Sequence, residues 1–154
     1  MRTPTALILG IALAANGLFM LVGPHAWYGA VPGVVHTGPF NAHFVRDIGA
    51  AYLVAGAAFI WLARNRFALP AALAAAAFLA IHALIHMWDA VAGREELQQL
   101  LVDVPGVFLP PALAIWMVWP RSQSRPGRMT QSNNADTFNK EDVFKKEAKK
   151  GATP

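Results

Sequence analysis

Cysteine is absent from the 154 residues, which excludes disulfides, thiolate metal sites, iron–sulfur clusters and cysteine nucleophiles. Charge is scarce as well. Charged residues make up 14% of the chain and hydrophobic ones 55%, against roughly 25% and 45–50% in soluble domains. That balance speaks against a free-standing soluble enzyme, and the length allows one domain at most. Signatures of catalysis are missing too: the sequence contains no Gly-rich nucleotide loop, no Gly-x-Ser-x-Gly elbow and no His-Glu-x-x-His zinc motif. Histidine, carboxylate and arginine are the chemistry left.

The basic excess is unevenly placed. Residues 121–154 hold eight of the 13 Lys and Arg and four of the nine Asp and Glu, whereas residues 1–120 hold five of each. The net charge of +4 therefore lies in the tail. On a folded face such an excess points to nucleic acid. On a polar appendage to an apolar body it points to a membrane surface, with no nucleic-acid partner. Rich in Ser, Asn, Gln, Lys and Pro, the tail cannot bury enough apolar area to fold alone, and it is expected to be disordered and cytoplasmic. A short helix over Asn139–Lys150, capped by Asn139, is the one element it could form.

Within residues 1–120 the apolar residues gather into four runs near the roughly 20 residues that cross a bilayer: 5–22, 42–63, 69–91 and 104–119. These predict an all-α, polytopic membrane four-helix bundle, the first helix being an uncleaved signal anchor. Lys and Arg near helix ends stay on the cytoplasmic side. Arg2, the pair Arg64 and Arg66, and Arg121, Arg125 and Arg128 fall on one side of four crossings, so both termini are expected in the cytoplasm. Small residues let helices approach in lipid, and Gly10, Ala14 and Gly17 in the first run, Gly49 and Gly56 in the second and the Ala-rich third provide them. Pro110 and Pro111 are expected to kink the fourth helix. Trp27, Tyr28, Trp61, Trp88, Trp116 and Trp119 near the helix ends suit an interfacial belt.

Charged side chains inside such helices are costly and need a partner or a purpose. The second helix opens with His43, Arg46 and Asp47, and the third closes with His82, His86 and Asp89. At 3.6 residues per turn each set forms one stripe, spanning about 100° and about 60° respectively. Because the second helix enters from the side where the third exits, the stripes are expected to meet. Arg46 would neutralise Asp89 or Asp47, Asp47 would face His86, and His25 and His36 would close over the group from the loop.

Asp47, His86, Asp89 and Arg46 are thus candidates for ligand binding or proton exchange. His43, His82, His86 and Asp89 are candidate metal ligands, since His-x-x-x-His presents two imidazoles on one helical face. A haem between His43 and a third-helix histidine, seated in an opening beside the alanines, is another arrangement these residues permit. A quinone pocket is a further one, and a purely structural polar clamp uses the same side chains.

The second-helix stretch HFVRDIGAAYLVAGAAF, with Arg46, Gly49 and Gly56, resembles the small four-helix bacterial membrane proteins of the DoxX-like kind. The loop GPHAWYGAVPGVVHTGPFNAHFVRD is similar to that of bacterial inner-membrane proteins without an agreed activity. The resemblance covers residues 1–120. It implies a multi-pass bacterial inner-membrane protein, surrounded by lipid and other membrane subunits, in an accessory or structural role in a respiratory or redox system. The alternative is a metal-, haem- or quinone-binding redox protein that uses the His/Asp/Arg cluster. Neither reading names a reaction, so the sequence gives no ground for an enzyme.

Overall fold

The computed structural model of the protein describes residues 2–94 and 97–120. Among them every regular element is helical. The order is α1 (Arg2–Val22), α2 (Pro24–Ala30), a 3₁₀ turn (Val34–His36), α3 (Ala42–Arg64), a second 3₁₀ turn (Arg66–Ala68), α4 (Leu69–Val91), α5 (Leu97–Asp103), a π turn (Val104–Phe108) and α6 (Leu109–Val118). Four stretches are long and apolar enough to cross a membrane: Thr3–Val22, Ala42–Arg64, Arg66–Val91 and Gln98–Val118. The expected tail and its Asn139–Lys150 helix lie outside the described residues.

Local chemistry sets the helix ends. Asn41 caps α3, its side-chain oxygen accepting from the backbone N–H of His43 at 3.0 Å and of Phe44 at 3.1 Å. Asn65 ends α3 in an extended conformation and accepts from Phe67 N–H at 2.9 Å, so one residue stops a helix and starts the next turn. Pro70 then falls in the first turn of α4, where a missing N–H removes no helical bond.

The fourth long helix departs from the expected 104–119. It starts at Leu97 and runs through Pro105 and Gly106 by widening into the π turn. The reason lies in three prolines, at 105, 110 and 111, which withdraw three N–H donors from one stretch. The ladder re-forms one residue out of step, with Leu109 N–H bonded to the Val104 carbonyl. The expected run begins at Val104, whereas the helix reaches Pro105 and Gly106 from Leu97 and makes them an internal defect.

Packing is closest between α1 and α3. A Cβ on Gly17 would lie 2.5 Å from the Gly49 carbonyl oxygen, and one on Gly56 would lie 2.5 Å from Ala14 N. Gly10 and Gly49 are equally closed, against Ile60 and Met20. Backbone meets backbone along this seam, as small residues in apolar helices permit. α3 packs in turn on α4, α4 on α6, and α6 back on α1. Phe59, Met20 and Leu79 fill the centre, with Ala72, Ala75 and Ala76 of α4 laid flat against it. Outward faces are apolar as well: Ile8, Leu18, Val54, Ile81, Leu84 and Leu101 all stand exposed.

Residues 23–41 fold over the end of the bundle where α3 begins and α4 finishes. Tyr28 donates its hydroxyl to the Gly38 carbonyl at 2.5 Å, and Phe40 packs edge-on against both His25 and Tyr28. Trp27 turns inward, donating Nε1–H to Asn16 Oδ1 at 2.9 Å, whereas Trp61, Trp88, Trp116 and Trp119 remain exposed. Gly33 has φ of 86°, a left-handed conformation suited to glycine, and a side chain there would collide with Gln99. The connection thereby rests on α5.

Candidate functional site

The site grows from Asp103, the last residue of α5. Among the described residues it is the one buried charged side chain, 7% exposed. Its position follows from the π turn behind it: with the helix continuous from Leu97, residue 103 stays on the inner face. An ionised carboxylate in such surroundings is tolerated only when hydrogen-bonded. Two groups meet that need. His86 Nδ1 lies 2.8 Å from Asp103 Oδ2, and Gln99 Nε2 donates to Asp103 Oδ1 at 3.0 Å. Gln99 stands one turn earlier on the same helix, so its support is local, while His86 comes from α4 and ties two helices together.

The contact also orients the imidazole. With the carboxylate accepting at Nδ1, the neutral ring carries its proton there and presents Nε2 as an acceptor. One turn back on α4, the His82 ring stands 4.9 Å from that of His86, centroid to centroid and edge-on. Tyr52 of α3 meets His82 edge-on at 5.9 Å and Phe78 at 5.6 Å. Phe78 stacks over His82 at 6.3 Å. A column of polar groups therefore leads from Gln99, beneath Gly33, through Asp103, His86 and His82 to the buried Tyr52.

The two expected stripes do not meet in this way. Arg46 donates Nε–H to the Leu21 carbonyl at 3.3 Å, covering the end of α1. It shares a helical stripe with Gly49, Leu53, Gly56 and Ile60, which is the stripe α3 turns to α1. Asp47 pairs with His43 on its own helix at 3.4 Å, with the two side chains 62% and 88% exposed. They continue into the outward stripe of Val54 and Trp61. Asp89 pairs with Arg94 at 2.7 Å, just beyond the end of α4. The expected pairing of Arg46 with Asp89 and of Asp47 with His86 is thus replaced on each side. The cause is one of phase: α3 gives α4 the stripe of Val45, Tyr52 and Phe59, against which His82 lies, while α4 turns His86 to α5.

The metal set suffers from the same phase. Among the described residues no group of three or more His, Asp or Glu is placed to hold a metal ion, so His43, His82, His86 and Asp89 do not assemble as a shell. Nor do the residues fit a haem. His43 points away on an exposed stripe, and the alanines expected to leave an opening, Ala72, Ala75 and Ala76, are buried in the core.

Asp103, Gln99 and Tyr52 are the participants that sequence reasoning passed over. Asp103 falls one residue before the fourth apolar run, 104–119, and so outside the expected helix. The available signal was the spacing of Leu97, Leu100, Leu101 and Val104, a helical stripe that carries the fourth helix back past the proline. Comparison with family models, curated proteins and solved structures returned no match.

Proposed function

We propose that the chain is a multi-pass protein of the bacterial inner membrane that serves as an accessory or structural subunit, with the Asp103, His86 and Gln99 group as a clamp between its third and fourth crossings. The resemblance to DoxX-like proteins and a respiratory or redox setting belong to the same proposal. Four long apolar helices whose outward faces are apolar support insertion. Orientation draws on arginine. Arg2, Arg64 and Arg66 lie at one end of the helices, and Arg121, Arg125 and Arg128 follow the fourth crossing in the sequence, a distribution that favours cytoplasmic termini. A reporter active only in the periplasm is then silent when fused after Gly127 and active when inserted within 31–37. The reverse pattern would put the polar column on the cytoplasmic side.

The observation that carries the clamp is the buried Asp103 carboxylate, whose one ion-pairing partner among the described residues is His86. A hydrogen-bonded pair across two helices fixes their register at a depth where lipid offers no substitute. A second reading, a ligand- or proton-exchanging redox protein, rests on the adjoining His82 and Tyr52 rings. His86→Gln separates the two. Glutamine can still donate to Asp103 but does not titrate as imidazole does, so a clamp keeps its stability and its cellular role. A folded, stable variant without that role would move the column from support to chemistry.

A further inference from the structure

We infer that residues 23–41 form a lid that closes over the Asp103–His86 pair by seating Gly33 on Gln99, and that lifting it admits water to the pair. The lid is braced from within. Tyr28 donates its hydroxyl to the carbonyls of Gly38 and Val35, Thr37 donates to that of Val34, and Phe40 packs edge-on against His25 and Tyr28. The backbone N–H groups of Val34, His36 and Thr37 likewise end on Val31, Gly33 and Val34. Attachments to the bundle lie on one side. Trp27 donates to Asn16 of α1, Gly23 N–H bonds to the Phe19 carbonyl at the end of α1, and Asn41 caps α3, while α2 packs on α1 and α3. Among the described residues, nothing in the segment is hydrogen-bonded to α4 or α5.

What the segment meets on that other side is the side chain of Gln99. A Cβ at Gly33 would stand 2.7 Å from Gln99 Cδ and 3.0 Å from Oε1, with Nε2 closer still, so bare glycine backbone lies against the amide. That same Nε2 donates to Asp103 Oδ1, and Asp103 Oδ2 meets His86 Nδ1. Val31, Gly33 and Val34 are half-buried and residues 35–40 exposed, which makes the first three the underside of the lid. A segment braced within itself, hinged on α1 and α3 and resting on α5 by van der Waals contact can lift without breaking its own hydrogen bonds. Lifting uncovers Gln99. Water can then replace its amide on Asp103, an exchange that a desolvated carboxylate favours. Closure keeps the pair dry, where its hydrogen bonds are strongest. The inference rests on the buried pair, whichever role that pair has, and not on the orientation of the chain in a membrane.

The test follows exchange of the His86 ring N–H with water, by magnetic resonance of the full chain in detergent with isotope-labelled histidine. The signal is assigned by its loss in His86→Gln. Exchange is expected to be slow in the native chain. Gly33→Ala drives a methyl into the Gln99 amide and should speed it roughly tenfold or more, whereas Gly29→Ala, whose Cβ meets nothing within 4 Å, should leave it unchanged. Gly33→Cys with Gln99→Cys, in a chain that has no native cysteine, gives the opposite perturbation. A Cβ at 33 stands close enough to the side chain of residue 99 for a disulfide to form, and the oxidised form should exchange roughly tenfold more slowly than the reduced form of the same protein. A folded double variant that forms no disulfide, equal rates in its two forms, or a folded Gly33→Ala with the native rate overturns the lid. If Gly33→Ala fails to fold, the two forms of the double variant decide alone. Native exchange at His86 as fast as at the exposed His43 would instead overturn the buried pair itself.

Discussion

The two halves of the helix ring are joined by opposite means. α1 and α3 meet through Gly10, Gly17, Gly49 and Gly56, with main chain against main chain and Arg46 Nε–H bonded to the Leu21 carbonyl at the end of the seam. α4 and the fourth long helix meet through Asp103 and His86, beside a π turn and three prolines. The first joint gains its attraction from dense dispersion contacts. The second uses a few directed polar contacts and tolerates irregular backbone around them. A glycine seam fails when anything is added to it, and a polar clamp fails when something is removed, so substitutions of opposite kinds should distinguish them.

The largest effect is expected at the seam. In Gly17→Leu the new side chain would start 2.5 Å from the Gly49 carbonyl oxygen and 2.6 Å from Leu53 N, atoms that cannot rotate aside. The helices must separate, at a cost of about 3 kcal/mol or more, read as loss of the folded fraction in a denaturant titration in detergent. Gly29→Ala is the matched control, because nothing lies within 4 Å of its Cβ position, and a change within about 0.5 kcal/mol is expected. Equal losses in the two variants would show that the seam does not hold the α1–α3 half together.

Next in size comes the clamp. His86→Ala leaves Asp103 buried with Gln99 as its remaining partner and is expected to cost about 3 kcal/mol, as for other orphaned buried charges. Asp103→Asn removes the charge while keeping an acceptor for His86. Its cost should be nearer 1 kcal/mol, that of one imperfect hydrogen bond. The order matters more than the values: a cost for Asp103→Asn above that of His86→Ala would mean that the carboxylate charge, rather than its burial, holds the two helices.

These contrasts explain what was legible in the sequence. Helix number and the first three helix boundaries follow from hydropathy, because length and apolar content need no tertiary knowledge. The glycines of the seam were legible for a related reason, since spacing alone puts Gly49 and Gly56 on one stripe. Legibility ended where rotation about the helix axis had to be known. Arg46 lies on that same glycine stripe, and spacing therefore already assigned it to α1; treating all polar residues of the second helix as one face concealed this. His82 and His86 were found, but their partner was not. Locating Asp103 on an inner face required knowing that a helix could pass through Pro105 and Gly106, and a π turn shifts the phase of every residue that follows.

The smallest expected effect tests the original grouping of residues most sharply. Asp89 and Arg94 form a short contact of 2.7 Å, yet their side chains are 29% and 64% exposed. Exposed pairs of this kind contribute about 0–1 kcal/mol, since solvent and salt screen the attraction and two long side chains lose freedom in making it. Asp89→Asn should therefore shift the unfolding midpoint little, and 1 M salt should reduce the difference further, because screening then acts within about 3 Å. The same substitution in a His86→Ala background should add its small effect independently, as expected for groups that share no partner. If Asp89→Asn instead cost as much as His86→Ala, or if the two effects failed to add, Asp89 would be coupled to the buried column. The polar clamp would then extend to the end of α4 and would not be confined to the buried group.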